Sequence, residues 1–169
     1  MKSSPLSPET HTAEDVIRLL NLAPLPGEGG WFRRTAESEL RVMGGGRRAC
    51  SAIYFLVTPE VFSALHRVDA VETWCFHVGD PIELLVLDAQ PGAGRRVALG
   101  LDFTVGQVLQ EMVPAGAWQG ARLRAGGRWG LVSCVVAPEY VERGFALGVR
   151  AELTASHPAF AAEIAALTR

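Results

Sequence analysis

The stretch that decides the fold is residues 63–81, SALHRVDAVETWCFHVGDP. Its second half alternates in the manner of a β-strand and ends in a Gly-Asp-Pro turn signal. Because side chains alternate across a strand, Glu72, Trp74 and Phe76 share one face. A carboxyl group beside two aromatic rings predicts that this face lines a pocket for a small molecule.

Working outward, the chain reads as short β segments separated by turns rich in Gly, Pro and Asp. The spacing predicts an all-β barrel or sandwich, because closing a sheet removes exposed strand edges. A helix is expected over residues 13–21, where Thr12 and Asp15 form a capping pattern, and a closing helix over 157–167. We expect residues 1–11 to form a flexible tail and residues 12–169 a single domain. The predicted strands are 51–58, 72–78, 82–88, 97–99, 108–113, 118–124 and 129–137, with turns at 44–46 and 91–94.

The composition excludes several classes of function. The 169 residues carry a formal net charge of −2 with both signs scattered, which argues against nucleic acid as a partner. No apolar run is long enough to span a membrane, and no signal peptide is visible at the start. The three cysteines are widely spaced, which is typical of reduced thiols. A cytoplasmic protein is therefore expected.

Two motifs resemble those of the cupin superfamily. His66, Glu72 and Gly79 match its first motif, which places two His, a Glu and a closing Gly across two strands and their turn. Val68 stands at the second His position. The second motif is matched in part by Gly106, by Pro-Ala-Gly at 114–116, and by Gln119 at the position of the third His.

The resemblance extends to the cupin_5 (DUF985) group over about residues 15–160. It rests on residues 27–35, 51–56, 66–79, 113–119 and 135–138. Two segments depart from the group's pattern, Leu-Pro-Gly-Glu-Gly-Gly at 25–30 and Pro-Glu-Tyr at 138–140, and both lie where loops could shape the mouth of a pocket. The resemblance implies a double-stranded β-helix of the RmlC-like jelly-roll type, with short terminal helices, and a homodimer.

The candidate site combines polar groups that are costly to bury unpaired. His66 and Glu72 are the candidate catalytic residues, because an imidazole beside a carboxylate can exchange protons near neutral pH. A satisfied structural pair is the alternative. A divalent metal is the one candidate cofactor, with His66, Glu72 and Gln119 as its ligands. The expected ligand-binding residues are Glu28, Tyr54, Trp74, Phe76 and Gln119.

The leading functional hypothesis is a small-molecule-binding protein with isomerase or epimerase chemistry on a sugar or another carbonyl compound. It uses His66 as the acid and base, and it rests on a short similarity to the sugar-nucleotide epimerases of the cupin superfamily. Two alternatives stay open. One is a metal-dependent oxygenase or isomerase, and the other is a binding module without turnover.

Overall fold

Two antiparallel sheets form the body of the molecule in a computed structural model that describes residues 5–44 and 46–169. The six-stranded sheet has the order β1-β2-β3-β10-β5-β8, and the five-stranded sheet has the order β11-β4-β9-β6-β7. The strands are β1 (Ala23–Pro24), β2 (Trp31–Glu37), β3 (Ser51–Val57), β4 (Ser63–Val68), β5 (Val71–Gly79), β6 (Ile82–Leu87), β7 (Gly94–Leu99), β8 (Gln110–Val113), β9 (Trp118–Leu123), β10 (Gly130–Ala137) and β11 (Phe145–Leu147).

The main hydrophobic core lies between the two sheets. It contains Phe55, Trp74 and Val132 from the larger sheet and Leu84 and Ala121 from the smaller one. Burial of such side chains stabilises the fold by roughly 25 cal/mol for each Å² of apolar surface removed from water. The predicted all-β architecture with short terminal helices is confirmed.

Three α-helices flank the sheets: α1 (Ala13–Leu20), α2 (Arg150–Ser156) and α3 (Ala161–Ala166). The predicted capping box is confirmed, since the Thr12 hydroxyl accepts from Asp15 N and the Asp15 carboxylate accepts from Thr12 N. The predicted closing helix differs from the structure. In place of one helix over residues 157–167, the structure has α2 before this range, then the 3-10 turn Pro158–Phe160, and then α3. The helices are separate because Pro158 lacks the N–H group that a continuing helix needs.

Several strands were not predicted from the sequence. Strand β2 follows a glycine-rich loop and carries mostly exposed side chains, so it shows no apolar alternation. Strand β4 is buried at five of its six positions and therefore also lacks alternation. Strand β11 has three residues, too few for a pattern.

Three local features bear on the earlier expectations. Residues 1–4 of the expected tail and Gly45 of the expected turn at 44–46 lie outside the described residues. Within the described part of the tail, the His11 carbonyl accepts a hydrogen bond from Trp129 Nε1 at 2.8 Å. In the parts of the chain that the structure describes, none of the helices has the length and apolar character to cross a membrane.

Candidate functional site

A cavity of about 320 Å³ opens at one end of the two sheets. Its walls come from β2, β3, β4, β5, β10 and β11, together with the loops around residues 25–28 and 140–142. It holds three carboxyl groups, one imidazole, one guanidinium group and several aromatic rings. The lining residues are Leu25, Pro26, Glu28, Phe32, Arg34, Ser51, Ile53, Phe55, His66, Val68, Glu72, Cys134, Val136, Tyr140, Glu142 and Phe145.

The imidazole of His66 is held in one orientation. Its residue is 2% exposed, and its Nδ1 lies 2.8 Å from the Ala64 carbonyl oxygen. Because a carbonyl oxygen only accepts, Nδ1 carries the proton and Nε2 keeps a free lone pair in the neutral ring. The ring stacks on Phe145 with a centroid distance of 5.3 Å. His66 thus presents an unprotonated nitrogen that makes no hydrogen bond to the described residues.

Glu28 reaches the cavity on a tight turn. The Gly29 N–H donates to Leu25 O, and Gly30 has a φ of 77°, with Phe55 so close that a side chain at this position would clash. The Glu28 carboxylate accepts from Ser63 Oγ at 2.6 Å, and its Oε1 lies 3.9 Å from His66 Nδ1. The Glu28 carboxylate therefore lies at the cavity wall, close to His66.

Glu72 ends a buried chain of hydrogen bonds. Trp74 Nε1 donates to Gln119 Oε1 at 2.8 Å, and Gln119 Nε2 donates to Glu72 Oε2 at 2.6 Å. Burial raises the pKa of Glu72, and Glu28 adds to this, whereas His66 and the bond from Gln119 act in the opposite direction. The elevated pKa favours the protonated carboxyl, which can donate a hydrogen bond as well as accept one.

Cys134 lies beside Glu72 and also lines the cavity. Burial raises the pKa of its thiol well above the ordinary value, and the nearby Glu72 and Glu28 raise it further. The thiol therefore stays protonated, and it is a weak nucleophile here because only the thiolate reacts readily.

The structure brings together His66, Glu72 and Glu28 as cavity residues, whereas the other candidates do not line the cavity. Trp74 and Phe76 belong to the core between the sheets. Gln119 is fully buried beneath Glu72, and it does not line the cavity. Tyr54 lies on the opposite face of β3 from Phe55, where it packs in the cluster around Leu56.

Several cavity residues had no assigned role in the sequence analysis, among them Cys134, Tyr140, Glu142 and Phe145. One signal was available for Tyr140, because it lies in the Pro-Glu-Tyr segment where the sequence departs from its family. The Tyr140 N–H donates to Ser51 Oγ at 3.1 Å, which anchors the loop at the mouth. Phe145 belongs to the very short β11, so its position depends on pairing with β4.

The donor set does not fit the metal site of the motif. Gln119 Oε1, the only oxygen that this amide could offer a metal, already accepts from Trp74, and Val68 replaces a His ligand. Across residues 5–44 and 46–169, no group of three His, Cys, Asp or Glu side chains has an arrangement suited to a metal ion.

The family follows from the comparison of the whole sequence with known proteins. The Cupin_5 family, described as Cupin superfamily (DUF985), matches residues 14–148. The chain belongs to this cupin family. The resemblance and the cupin fold expected from the motifs are thereby confirmed, and the superfamily includes both enzymes and binding proteins. No curated protein matches this cupin.

Solved structures agree with the assignment. A hypothetical protein from Leishmania major is 36% identical with a TM-score of 0.86, over 94% of this cupin and 99% of that chain. A protein from Shewanella oneidensis is 32% identical with a TM-score of 0.86, over 95% and 99% of the two chains. A cupin 2 conserved barrel domain protein from Rhodopseudomonas palustris shares the fold at 19% identity, with a TM-score of 0.58 and 88% of each chain covered.

Proposed function

We propose that the cavity binds a small organic molecule and that His66 transfers a proton at a carbon atom next to a carbonyl group, as an isomerase or epimerase does. The single observation that carries the proposal is the tautomer of His66. Because Ala64 O fixes the proton on Nδ1, the lone pair of Nε2 is available to remove a proton from a bound molecule.

The neighbouring carboxyl groups suit the charges that this step creates. Proton removal forms an imidazolium ion on His66 and an enolate on the ligand. Glu28, whose Oε1 lies 3.9 Å from Nδ1, stabilises the imidazolium. Glu72 in its protonated form donates a hydrogen bond to the enolate oxygen. For an isomerisation of an α-hydroxycarbonyl ligand, His66 returns the proton to the adjacent carbon, while Glu72 gives its proton to the enolate oxygen and takes the proton of the neighbouring hydroxyl. For an epimerisation, the enolate turns over in the cavity before His66 returns the proton to the other face of the same carbon. Neither route needs another reactant.

The test is solvent deuterium exchange in a mixture of natural compounds. The protein is incubated in ²H₂O with a small-molecule extract of bacterial cells, and mass spectrometry identifies any compound that gains one deuterium. We expect such a compound with the wild-type protein and none with His66→Gln. His77→Gln is the matched control, because His77 hydrogen-bonds Ser133 outside the cavity. Exchange that persists in His66→Gln, or no exchange with the wild type, refutes the proton transfer and leaves a binding module.

A further inference from the structure

The charges of the cavity are unbalanced towards the negative side. Glu28 and Glu142 line it beside Glu72, whose raised pKa favours the neutral form, and Arg34 is the only Lys or Arg among its described lining residues. The Arg34 guanidinium donates to Glu37 Oε1 at 2.8 Å, and Glu37 is not a lining residue. The one cation is therefore already paired, and an entering molecule meets carboxyl groups without a free positive partner.

The aromatic rings of the cavity favour a cation in the same place. Phe145 stacks on His66 and meets the Tyr140 ring edge-on at a centroid distance of 6.2 Å. Phe32 and Phe55 line the wall from β2 and β3. The faces of such rings carry negative charge density and attract ammonium groups, most strongly where water is excluded.

The pKa of Tyr140 is raised in part by the same carboxyl groups. Burial raises it most, Glu28 and Glu142 raise it further, and Arg34 offsets only part of their effect. The contribution of the two Glu residues, which disfavours a phenolate at the mouth, favours a positive charge at the same position. The same field repels an anionic ligand.

His66 offers a hydrogen-bond acceptor on the cavity wall. Its side chain is 3% exposed and lines the cavity, and its Nε2 makes no hydrogen bond to the described residues. Among the described residues every fully buried side-chain nitrogen or oxygen has a hydrogen-bond partner, so Nε2 faces the open space of the cavity, where a donor can reach it. An ammonium group is such a donor, and so is the hydroxyl of a polyol.

From the charges and the rings, we infer that the molecule bound in this cavity carries a protonated amine, as an amino sugar or another small amine does. The inference rests on the proposed function only in that it concerns the same cavity. It names the class of ligand and requires no turnover.

Three probes of matched shape test the inference: benzylamine, benzyl alcohol and benzoate. Each is titrated into the ¹⁵N-labelled protein at neutral pH and followed in amide spectra. We expect benzylamine to bind about tenfold more tightly than benzyl alcohol, and benzoate to bind more weakly than both. Equal affinities for the amine and the alcohol overturn the inference. So does tighter binding of benzoate, or no binding of benzylamine up to about 50 mM, where a ligand of this size would be detected.

The matched variants are Glu28→Gln and Glu83→Gln. Gln at position 28 keeps an oxygen that accepts from Ser63 Oγ but removes the charge, so the preference for the amine should fall about tenfold. Glu83 pairs with Arg122 on the surface, away from the cavity, and its variant should keep the full preference. An unchanged preference in Glu28→Gln contradicts the inference.

The two proposals can fail separately. His66→Gln should lose deuterium exchange and keep the preference for the amine. A wild-type protein that shows this preference but no exchange would refute the proton transfer alone. Exchange without any preference for the amine would refute the ligand class alone.

Discussion

The buried chain from Trp74 through Gln119 to Glu72 gives the sharpest prediction about stability, through the substitution Gln119→Leu. Leucine has a similar size but offers neither the oxygen that accepts from Trp74 Nε1 nor the N–H that donates to Glu72 Oε2. Trp74 and Gln119 are at most 1% exposed, so water cannot replace the partner of the indole N–H, whereas Glu72 lines the cavity and can be solvated there. One orphaned group costs about 1–3 kcal/mol, and this is the expected loss.

That loss is large beside the stability of an ordinary domain, about 5–15 kcal/mol. Urea denaturation followed by far-UV circular dichroism measures it as a lower free energy of unfolding. Gln110→Leu is the control, because Gln110 is exposed on β8 and should change the free energy of unfolding by less than about 0.5 kcal/mol.

A double-mutant cycle with Trp74→Phe isolates the hydrogen bond itself. Once the indole N–H is absent, Gln119→Leu leaves one group fewer without a partner. The double variant should therefore lose about 1 kcal/mol less unfolding free energy than the sum of the losses of the two single variants. A loss below about 1 kcal/mol for Gln119→Leu, or strict additivity in the cycle, would refute the claim that this amide is a structural link.

Three further predictions concern charge, backbone and metal. The pKa of Glu72 is raised above its ordinary 4.5, so the native state keeps this proton to a higher pH than the unfolded chain does. The native state therefore loses stability as the pH rises above 4.5. The variant Glu72→Gln should lack this loss, so its thermal midpoint minus that of the wild type should increase from pH 4 to pH 8. A constant difference between the two proteins would contradict the pKa shift. Gly79→Ala should lower the free energy of unfolding more than Gly126→Ala does. Both glycines have a positive φ, but only at position 79 would the added Cβ lie 2.5 Å from Trp129 O. Equal denaturation midpoints for the two variants would refute the clash. Incubation with a chelator should leave the thermal midpoint unchanged within about 1 °C, and a clear fall would show that the donor set binds a metal after all.

Two expectations from the sequence concern matters beyond a single chain. The homodimer and the cytoplasmic location both stay predictions. Sedimentation velocity of the purified protein measures the first directly, and a single sedimenting species with the mass of one chain would contradict it.

Local patterns were sufficient to predict most of the sheet and the centre of the site. Alternation found β3, β5, β6, β9 and β10, because these strands place one face in the core. The spacing of His66, Glu72 and Gly79 identified the family motif, and the family match confirms it.

A β-bulge shows where the local pattern fails. Alternation places Val78 on the same face as Trp74 and Phe76, but the pairing of β5 with β10 shifts register between Leu131 and Val132. The extra residue moves Val78 to the cluster around Leu56 and Trp129, outside the core between the sheets. A sequence with period-two alternation cannot reveal a bulge that is defined by its partner strand.

The sequence by itself determined the family, the sheet-forming segments and the pair of cavity residues His66 and Glu72, because each depends on spacing within a few neighbouring residues. Tertiary structure decided which groups surround that pair. Gln119 lies opposite His66 across two paired strands, yet its amide is hydrogen-bonded to Trp74 and Glu72 and does not line the cavity. Tyr140 and Phe145 reach the cavity from a distant part of the chain. Contacts of this kind depend on strand pairing and loop packing, which no local pattern encodes.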